Sequence, residues 1–215
     1  MIQRMNSPAR KIQKSAVKNI VRFPSIKAND GKTILVESIL ESKYCLHLEF
    51  DTEVETYFPQ PRKFEVSDND GECNIYTPDF EVVYTSGVRK YVEVKPSENA
   101  QTEHYQFLFS RFSNLLQGTN TDFLIVSEIE IYQQPLLSNY EKLYQYKKRP
   151  LLKMKNLQQC AEDINDSMPL AQLVHRLGDR AHLREIYSWI ALGYLRFDMR
   201  SEPLSMTTEV KFDVC

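Results

Sequence analysis

The sequence predicts an α/β protein in which a central mixed sheet is flanked by helices, followed by a small helix-rich module. Three observations support this class. First, a helical apolar repeat, ending near Phe50, is followed by strand-like segments. Second, an amphipathic helix is expected over about 98–117. Third, a short all-apolar run at 123–126 fits a buried strand. The order of the first part is therefore α-β-β-β-α-β.

The composition is that of a globular chain and excludes several other classes. The 215 residues include 27 Lys and Arg against 29 Asp and Glu, with 42% hydrophobic residues. We expect no membrane span and no signal peptide, because no apolar stretch is long enough for either. The four cysteines are scattered without a CxxC pair, so free thiols in a reducing, cytoplasmic setting are expected.

The charges are unevenly distributed, and this suggests three regions. Residues 1–32 hold eight basic residues and one acid, and we expect a basic arm that is disordered without a partner. Residues 33–98 hold fourteen acids and six bases, whereas 142–155 hold six bases and no acid. We therefore predict a folded domain over 33–149, which contains the candidate catalytic residues described below, and a second domain with a tail over 150–215.

The two basic segments suggest contacts with nucleic-acid phosphates, although a solubilising tail and a solvated helix end explain them as well. Phosphate contacts position a protein without reading base sequence, so a partner must select the site of action. The candidate residues are Arg10, Lys11, Lys14, Lys147, Lys148 and Arg149.

The first helix is predicted to begin at Ser38, because Ser38 and Glu41 have the spacing of a capping box in which Glu41 bonds back to the backbone at Ser38. It is expected to end near Phe50. Folded structure is expected to begin near Val36, and one strand is predicted over 54–66.

Two further strands are predicted to form a hairpin. The first covers 74–84, with Pro78 inside it, and the second covers 88–95. Residues 85–87 have the sequence Thr-Ser-Gly, and a glycine suits the last, left-handed position of a three-residue loop.

The length of this loop determines which side chains share a face. With three loop residues, Tyr84 pairs with Val88, and Asp79 lies opposite Glu93 on the same face. A two-residue loop would instead pair Asp79 with Val94 and turn its side chain away. Any chemistry that Asp79 and Glu93 share requires the first register.

The C-terminal region is predicted to contain three helices and a β wing, which indicates a winged-helix-like module. Helices are expected over 157–165, 169–177 and 181–193, and a short strand over 194–198. Residues 199–215 are expected to form an extended tail that docks on a partner.

Asp79, Glu93 and Lys95 form the main chemical signal. On a strand, Glu93 and Lys95 share one face about 6–7 Å apart, while Val92 and Val94 face the core. Charges on such a strand are costly unless they are paired or bind an ion. Two carboxylates on one face can hold Mg²⁺ or Mn²⁺, with the Val94 carbonyl as a further ligand. Lys95 would then orient the attacking water or neutralise charge.

Each feature also has a structural explanation. A Glu-x-Lys pair on a strand is usually a surface feature, and Pro-Asp before an apolar strand is common. The capping box alone accounts for Glu41, and Glu37 is an alternative ligand one turn earlier.

Together these residues resemble the restriction-endonuclease-like nucleases with their PD…(D/E)xK pattern, and more narrowly the TnsA family, the endonuclease subunits of heteromeric cut-and-paste transposases. The resemblance covers about 33–147, and the segment 186–195 resembles that family's winged-helix domain. The first part rests on the runs Ser-Ile-Leu-Glu at 38–41, His-Leu-Glu-Phe-Asp at 47–51, Gln-Pro at 60–61, Tyr-Thr-Pro-Asp-Phe at 76–80 and Val-Glu-Val-Lys-Pro at 92–96.

The resemblance implies a restriction-endonuclease-like core that hydrolyses DNA at the 5′ ends of a mobile element with Mg²⁺ or Mn²⁺. Glu41, Asp79 and Glu93 would be metal ligands, Lys95 the catalytic lysine, and Gln60 a supporting residue. Some relatives have Gln in place of Glu93.

The resemblance also implies partners and a location. The partners are double-stranded DNA at transposon ends, a transposase of the TnsB type and an ATPase regulator of the TnsC type, in the bacterial cytoplasm at the nucleoid. Two alternatives stay open: a catalytically idle DNA-binding or assembly module on a nuclease fold, and a repair or junction nuclease with the same core.

Overall fold

The computed structural model describes residues 20–67 and 73–214, which belong to two compact units. The first unit extends to Tyr132 and the second begins at Gln133. Within the described residues, no helix is long and apolar enough to cross a bilayer.

The first described element of the first unit is a hairpin that the sequence pattern did not predict. β1 (Val21–Pro24) pairs antiparallel with β2 (Thr33–Val36), and the paired Phe23 and Ile34 are both buried. The expectation that folded structure begins near Val36 is therefore wrong. Two alternating apolar residues between basic ones are too weak a pattern to identify such a short strand.

The predicted basic arm over 1–32 is correspondingly wrong from Val21 onward, and residues 1–19 lie outside the described residues. Lys27, one of the arm's basic residues, donates hydrogen bonds from its Nζ to the carbonyls of Leu48 and Asp51. It therefore binds the C-terminal end of the first helix, where a positive charge is favourable.

The first helix, α1 (Ile39–Phe50), forms as predicted. The Ser38 Oγ accepts a hydrogen bond from the Glu41 N–H and caps the helix. The remaining elements of the unit are, in chain order, β3 (Val54–Pro59), β4 (Phe64–Ser67), β5 (Cys73–Tyr76), β6 (Phe80–Tyr84), β7 (Arg89–Val94), α2 (Ser97–Ala100), α3 (Glu103–Leu115), β8 (Thr121–Val126) and α4 (Glu128–Ile131).

The central sheet has the strand order β3-β6-β7-β8, with β8 parallel to β7 and the other pairs antiparallel. α1 covers one face, where the Tyr44 and Phe80 rings lie 5.7 Å apart. α3 covers the other face, where Phe112 packs edge-on against Tyr91 and Phe123. The predicted mixed sheet flanked by helices is therefore present.

Two predicted strands are each divided in two. The strand predicted over 54–66 is broken after β3, where Gln60 has a positive φ of 47° and turns the chain away. The strand predicted over 74–84 is broken at 77–79, between β5 and β6. Pro78 lies in this second interruption and has no N–H for the ladder. β4 and β5 pair with each other in a hairpin separate from the central sheet.

The predicted register of the β6–β7 hairpin is confirmed. Phe80 pairs with Val92, and the Tyr84 N–H donates to the Val88 carbonyl at 2.9 Å. Gly87 has the expected positive φ of 82°.

The second unit comprises four helices and a three-stranded antiparallel sheet in which β11 lies between β10 and β9. Helices occur where they were predicted. The elements are α5 (Leu136–Lys148), α6 (Met154–Asp163), β9 (Met168–Pro169), α7 (Leu170–Leu177), α8 (Leu183–Leu192), β10 (Leu195–Arg196) and β11 (Glu209–Phe212).

The unit differs from the prediction at both ends. α5 packs against α8 and so belongs to the second unit, which places the division before Gln133 instead of at 149–150. The expected extended tail over 199–215 is wrong, because it contains the central strand β11, with Val210 buried. The intervening loop is held by the Asn139 amide, which bonds to the backbone of three residues: Met199, Glu202 and Leu204.

We predict that Gly87→Ala lowers the free energy of unfolding by about 1–2 kcal/mol, because a left-handed backbone is unfavourable for residues with a Cβ. A Cβ at this position would meet no atom within 4 Å, so the loss comes from the backbone alone. Urea denaturation measures it. Gly87→Asn is the matched control and should lose less, since Asn tolerates this conformation; equal losses would contradict the argument.

Candidate functional site

A cleft of about 670 Å³ opens where β6 begins and β7 ends. Its charged lining comes from the start of α1, the β4–β5 hairpin and the β6–β7 hairpin, all within the first unit. These side chains are Glu37, Glu41, Lys63, Asp79, Glu93 and Lys95. Val94 also lines the cleft, which therefore brings together five candidate site residues named from the sequence: Glu41, Asp79, Glu93, Val94 and Lys95.

Asp79 is held directly opposite Glu93. It precedes β6, and its Oδ2 accepts a hydrogen bond of 2.8 Å from the Val94 N–H. Burial raises the pKa of Asp79 well above its usual range, and the charges of Glu93 and Glu41 raise it further; the Val94 N–H and Lys95 act in the opposite direction. The ionised carboxylate is thus unfavourable here without an additional cation.

Glu93 is buried, and its two carboxylate oxygens have different partners. Oε1 lies 3.0 Å from the Lys95 Nζ, and Oε2 accepts a hydrogen bond of 2.7 Å from the Tyr76 hydroxyl. The Lys95 Nζ also lies 4.5 Å from the centre of the Tyr105 ring. Burial alone lowers the pKa of Lys95, but the charge of Glu93 reverses this and the pKa is raised. Lys95 is therefore a cation at neutral pH.

Glu41 approaches the cleft from the first turn of α1, and it also caps that helix. Its Oε1 accepts from the Ser38 hydroxyl at 2.8 Å and its Oε2 from the Glu37 N–H at 2.9 Å. The backbone partner is thus Glu37, where the capping box predicted Ser38. Burial raises the pKa of Glu41, and the charges of Glu37 and Glu93 add to the increase.

The donor set is chemically suited to a hard divalent cation. It offers the carboxylates of Glu41, Asp79 and Glu93. When ionised, they carry three negative charges, and among the described residues Lys95 forms an ion pair with one of them, Glu93. Each oxygen that accepts one hydrogen bond keeps a second lone pair. In the described part of the chain, however, no three His, Cys, Asp or Glu side chains are already arranged to hold an ion.

Two tyrosines at the site were not identified from the sequence. Tyr76 occurs only within the Tyr-Thr-Pro-Asp-Phe run at 76–80, and Tyr105 only within the amphipathic helix expected over about 98–117. The residue type was the available signal. A tyrosine beside a charged strand can donate a hydrogen bond from its hydroxyl, as Tyr76 does, or accept a cation on its ring, as Tyr105 does.

Gln60 contacts the site region through its backbone. Its N–H donates to the Asp79 carbonyl at 2.8 Å, which joins the two strand interruptions. The residue is 2% exposed, and within the described part of the chain its Oε1 and Nε2 have no hydrogen-bond partner. The supporting role expected of Gln60 stays a prediction.

The predicted phosphate-binding residues do not form one described cluster. Arg10, Lys11 and Lys14 lie outside the described residues. In the second unit, Lys148 and Arg149 are exposed at the end of α5, whereas Lys147 is half-buried, with its Nζ 3.4 Å from the Ala191 carbonyl. Their role also stays a prediction.

A mixed sheet that presents an aspartate and a Glu-x-Lys pair at one end is compatible with the restriction-endonuclease-like core that the resemblance implies. Residues 51–128 match the family model described as TnsA-like endonuclease N terminal. This segment includes Asp79, Glu93 and Lys95 and begins after Glu41. Over this segment the chain is similar to the N-terminal domain of TnsA-like endonucleases, which confirms this part of the resemblance. A search of curated proteins finds no significant match.

We predict that, without divalent ions, the contribution of Asp79 to the free energy of unfolding falls as the pH rises above 3.8, the ordinary pKa of an aspartate. The raised pKa of Asp79 means that the folded protein keeps its proton to higher pH than the unfolded chain, so stability is lost as pH rises through this interval. Asp79→Asn should flatten the profile.

Urea denaturation in EDTA at a series of pH values measures this effect. Asp122→Asn, which removes an exposed acid from β8, is the matched control and should leave the slope as it is. A slope that is identical in Asp79→Asn and wild type would contradict the assignment.

Proposed function

We propose that the protein is a metal-dependent DNA endonuclease that acts as a subunit of a heteromeric cut-and-paste transposase and cleaves at the 5′ ends of the mobile element. One observation carries the proposal. In a TnsA-like domain, the β6–β7 register sets Asp79 opposite Glu93, and Lys95 is bonded to Glu93.

The expected cofactor is Mg²⁺ or Mn²⁺. Asp79, Glu93 and the Val94 carbonyl would hold it, with Glu41 as a further ligand. A bound ion lowers the pKa of a coordinated water and stabilises charge on a phosphate.

The protein's own residues prepare the cleft for phosphodiester hydrolysis. The Val94 N–H fixes the Asp79 carboxylate, and Lys95 brings a positive charge that can orient the attacking water or offset charge on the phosphate. Water attacks the phosphorus and the 3′ oxygen leaves, which gives a 5′-phosphate and a 3′-hydroxyl.

We propose a winged-helix assignment for the second unit. Its order from α6 to β11 is helix, strand, helix, helix, strand, strand, with the last strand in the middle of the sheet. In a winged helix the third helix can enter the major groove. Here that helix is α8, which is mostly buried, and its Tyr187 stacks on Tyr146 of α5 at 5.0 Å.

Base reading by α8 is therefore restricted to its exposed N-terminal residues, Leu183 and Arg184. This favours assembly with protein partners as the main role of the second unit. The partners we propose are a transposase of the TnsB type, which would select the cleavage site, and an ATPase regulator of the TnsC type.

A catalytically idle assembly module is the second candidate. Two observations favour it. Glu41 is already bonded within the helix cap, and Glu93 is already bonded to Lys95 and Tyr76. In addition, no three potential ligands are already arranged around an ion site among the described residues.

We predict that Asp79→Asn abolishes DNA cleavage while it preserves the fold, because the Asn oxygen still accepts from the Val94 N–H. Asp79→Ala should be equally inactive. Lys95→Ala should lower cleavage roughly 10²–10³-fold, as expected when one charge-stabilising group is removed. The assay uses DNA containing an element end, the candidate transposase and Mg²⁺.

The control for this assay is Asp122→Asn, which should cleave like wild type. Normal cleavage by Asp79→Asn or Asp79→Ala would show that the site is assigned wrongly. Transposition with an inactive wild-type protein would favour the idle module.

We predict that deletion of residues 1–19 weakens DNA binding and reduces its salt dependence. This segment has five basic residues and no acid, and each phosphate contact adds about 0.9 to the slope of log K against log salt. The deletion leaves β1 and Lys27 in place. Fluorescence anisotropy at several salt concentrations measures the slope, and an unchanged slope would exclude the arm from DNA binding.

A further inference from the structure

We propose that Tyr76 is a positioning residue that fixes the Glu93 carboxylate in the orientation in which it can bind a divalent cation beside Asp79. This inference rests on the proposed function of the cleft. It concerns a residue outside the central sheet, contributed by the β4–β5 hairpin.

The contact between the two side chains is short and largely inaccessible to solvent. The Tyr76 hydroxyl donates to the Glu93 Oε2 at 2.7 Å, and the residues are only 7% and 4% exposed. Because water has little access to compete, the bond restrains the carboxylate more strongly than a surface hydrogen bond would.

Lys95 alone does not determine this orientation. It binds the other oxygen, Oε1, through a single N–O contact of 3.0 Å. A carboxylate held at one oxygen can still rotate about the bond to its carbon chain, since that terminal torsion is broad. A second partner at Oε2 removes that freedom.

The position of the Tyr76 hydroxyl is set by apolar packing. Its ring lies 4.7 Å from that of Phe112 on α3, and both belong to a buried cluster. The cluster also contains Val66 of β4 and Tyr91 of β7, so it joins the hairpin to the sheet that bears Glu93. The hydroxyl thus reaches Glu93 from a support that does not depend on the charges in the cleft.

The opposing carboxylate is restrained in a comparable way. The Val94 N–H holds the Asp79 Oδ2, and the β6–β7 register fixes the two residues opposite each other. With Tyr76, each facing carboxylate has a hydrogen bond that leaves lone pairs available for a cation. Partners of this kind typically contribute 10–100-fold to metal affinity or activity.

The chain contains a matched control for the test. Tyr57 makes the same type of bond, from a buried hydroxyl to the Oε1 of the buried Glu49 at 2.8 Å. Tyr57 and Glu49 do not line the cleft. Tyr76→Phe and Tyr57→Phe therefore each remove a buried hydroxyl that donates to a glutamate, one at the candidate site and one away from it; the Tyr57 hydroxyl also lies 3.1 Å from the Ser25 hydroxyl.

The experiment compares full-length wild type, Tyr76→Phe and Tyr57→Phe in two assays. One is Mn²⁺ binding by calorimetry, and the other is cleavage kinetics on end-containing DNA with the candidate transposase and Mg²⁺. We expect Tyr76→Phe to bind Mn²⁺ about 10–100-fold more weakly and to lose kcat with little change in KM for DNA. Tyr57→Phe should match wild type in both assays.

Each other outcome gives a decision. If wild type cleaves and Tyr76→Phe equals Tyr57→Phe in Mn²⁺ affinity and kcat, the positioning role is overturned while the nuclease function stands. If wild type binds Mn²⁺ without cleaving, the proposed function fails, and the Mn²⁺ affinities of the two variants still decide the role of Tyr76. If wild type binds no Mn²⁺, both proposals are overturned.

Should Tyr76→Phe unfold, Glu93→Gln provides the second test. It keeps an oxygen acceptor and a side chain of the same shape but removes the charge that Tyr76 orients. We expect it to reproduce the loss of Mn²⁺ affinity, and wild-type affinity in Glu93→Gln would overturn the positioning role.

Discussion

The antiparallel pairing of β6 with β7 is the constraint on which the candidate site depends. Its register follows from a three-residue loop closed by Gly87, and it sets Asp79 opposite Glu93 at the open end of the sheet. Because side chains alternate along a strand, a shift of one residue would turn Asp79 away from the cleft. The left-handed glycine therefore influences the chemistry from the far end of the hairpin.

Much of this arrangement could be predicted from the sequence, because it depends on local patterns. The capped helix α1, the hairpin register and the common face of Glu93 and Lys95 follow from turn chemistry and from a period of two. The breaks in the strands could not be predicted in this way. Gln60 adopts a left-handed backbone that its side chain does not favour, and it is held there by the Asp79 carbonyl in the interruption before β6.

The same limit explains the errors at the two ends of the chain. β1 is short and β11 has mixed polarity, and each is recognisable only through the partner strand that it meets in three dimensions. The contact of Tyr76 with Glu93 was equally hidden. It requires a hairpin to pack on α3, and that packing comes from apolar residues distributed over Val66, Tyr91 and Phe112. Sequence spacing shows which side chains share a face of one helix or strand. It does not show which side chains from different elements come together in the folded protein.

Two buried glutamates in the first unit show how similar contacts can serve different purposes. The Glu49 Oε1 accepts from the Ser25 hydroxyl, the Ile26 N–H and the Tyr57 hydroxyl, so its bonds attach the segment after β1 to α1. Glu93 has a tyrosine and an ammonium group as partners and faces another carboxylate across the cleft.

At Glu49, neutral donors bind Oε1, and the buried Oε2 has no hydrogen-bond partner among the described residues. Glu93 has three features that Glu49 lacks in the described structure: a bond to the cationic Lys95, an opposing Asp79 and access from the cleft. They place negative charge at the cleft, where a cation and a phosphate can reach it, and this supports the functional role proposed for Glu93.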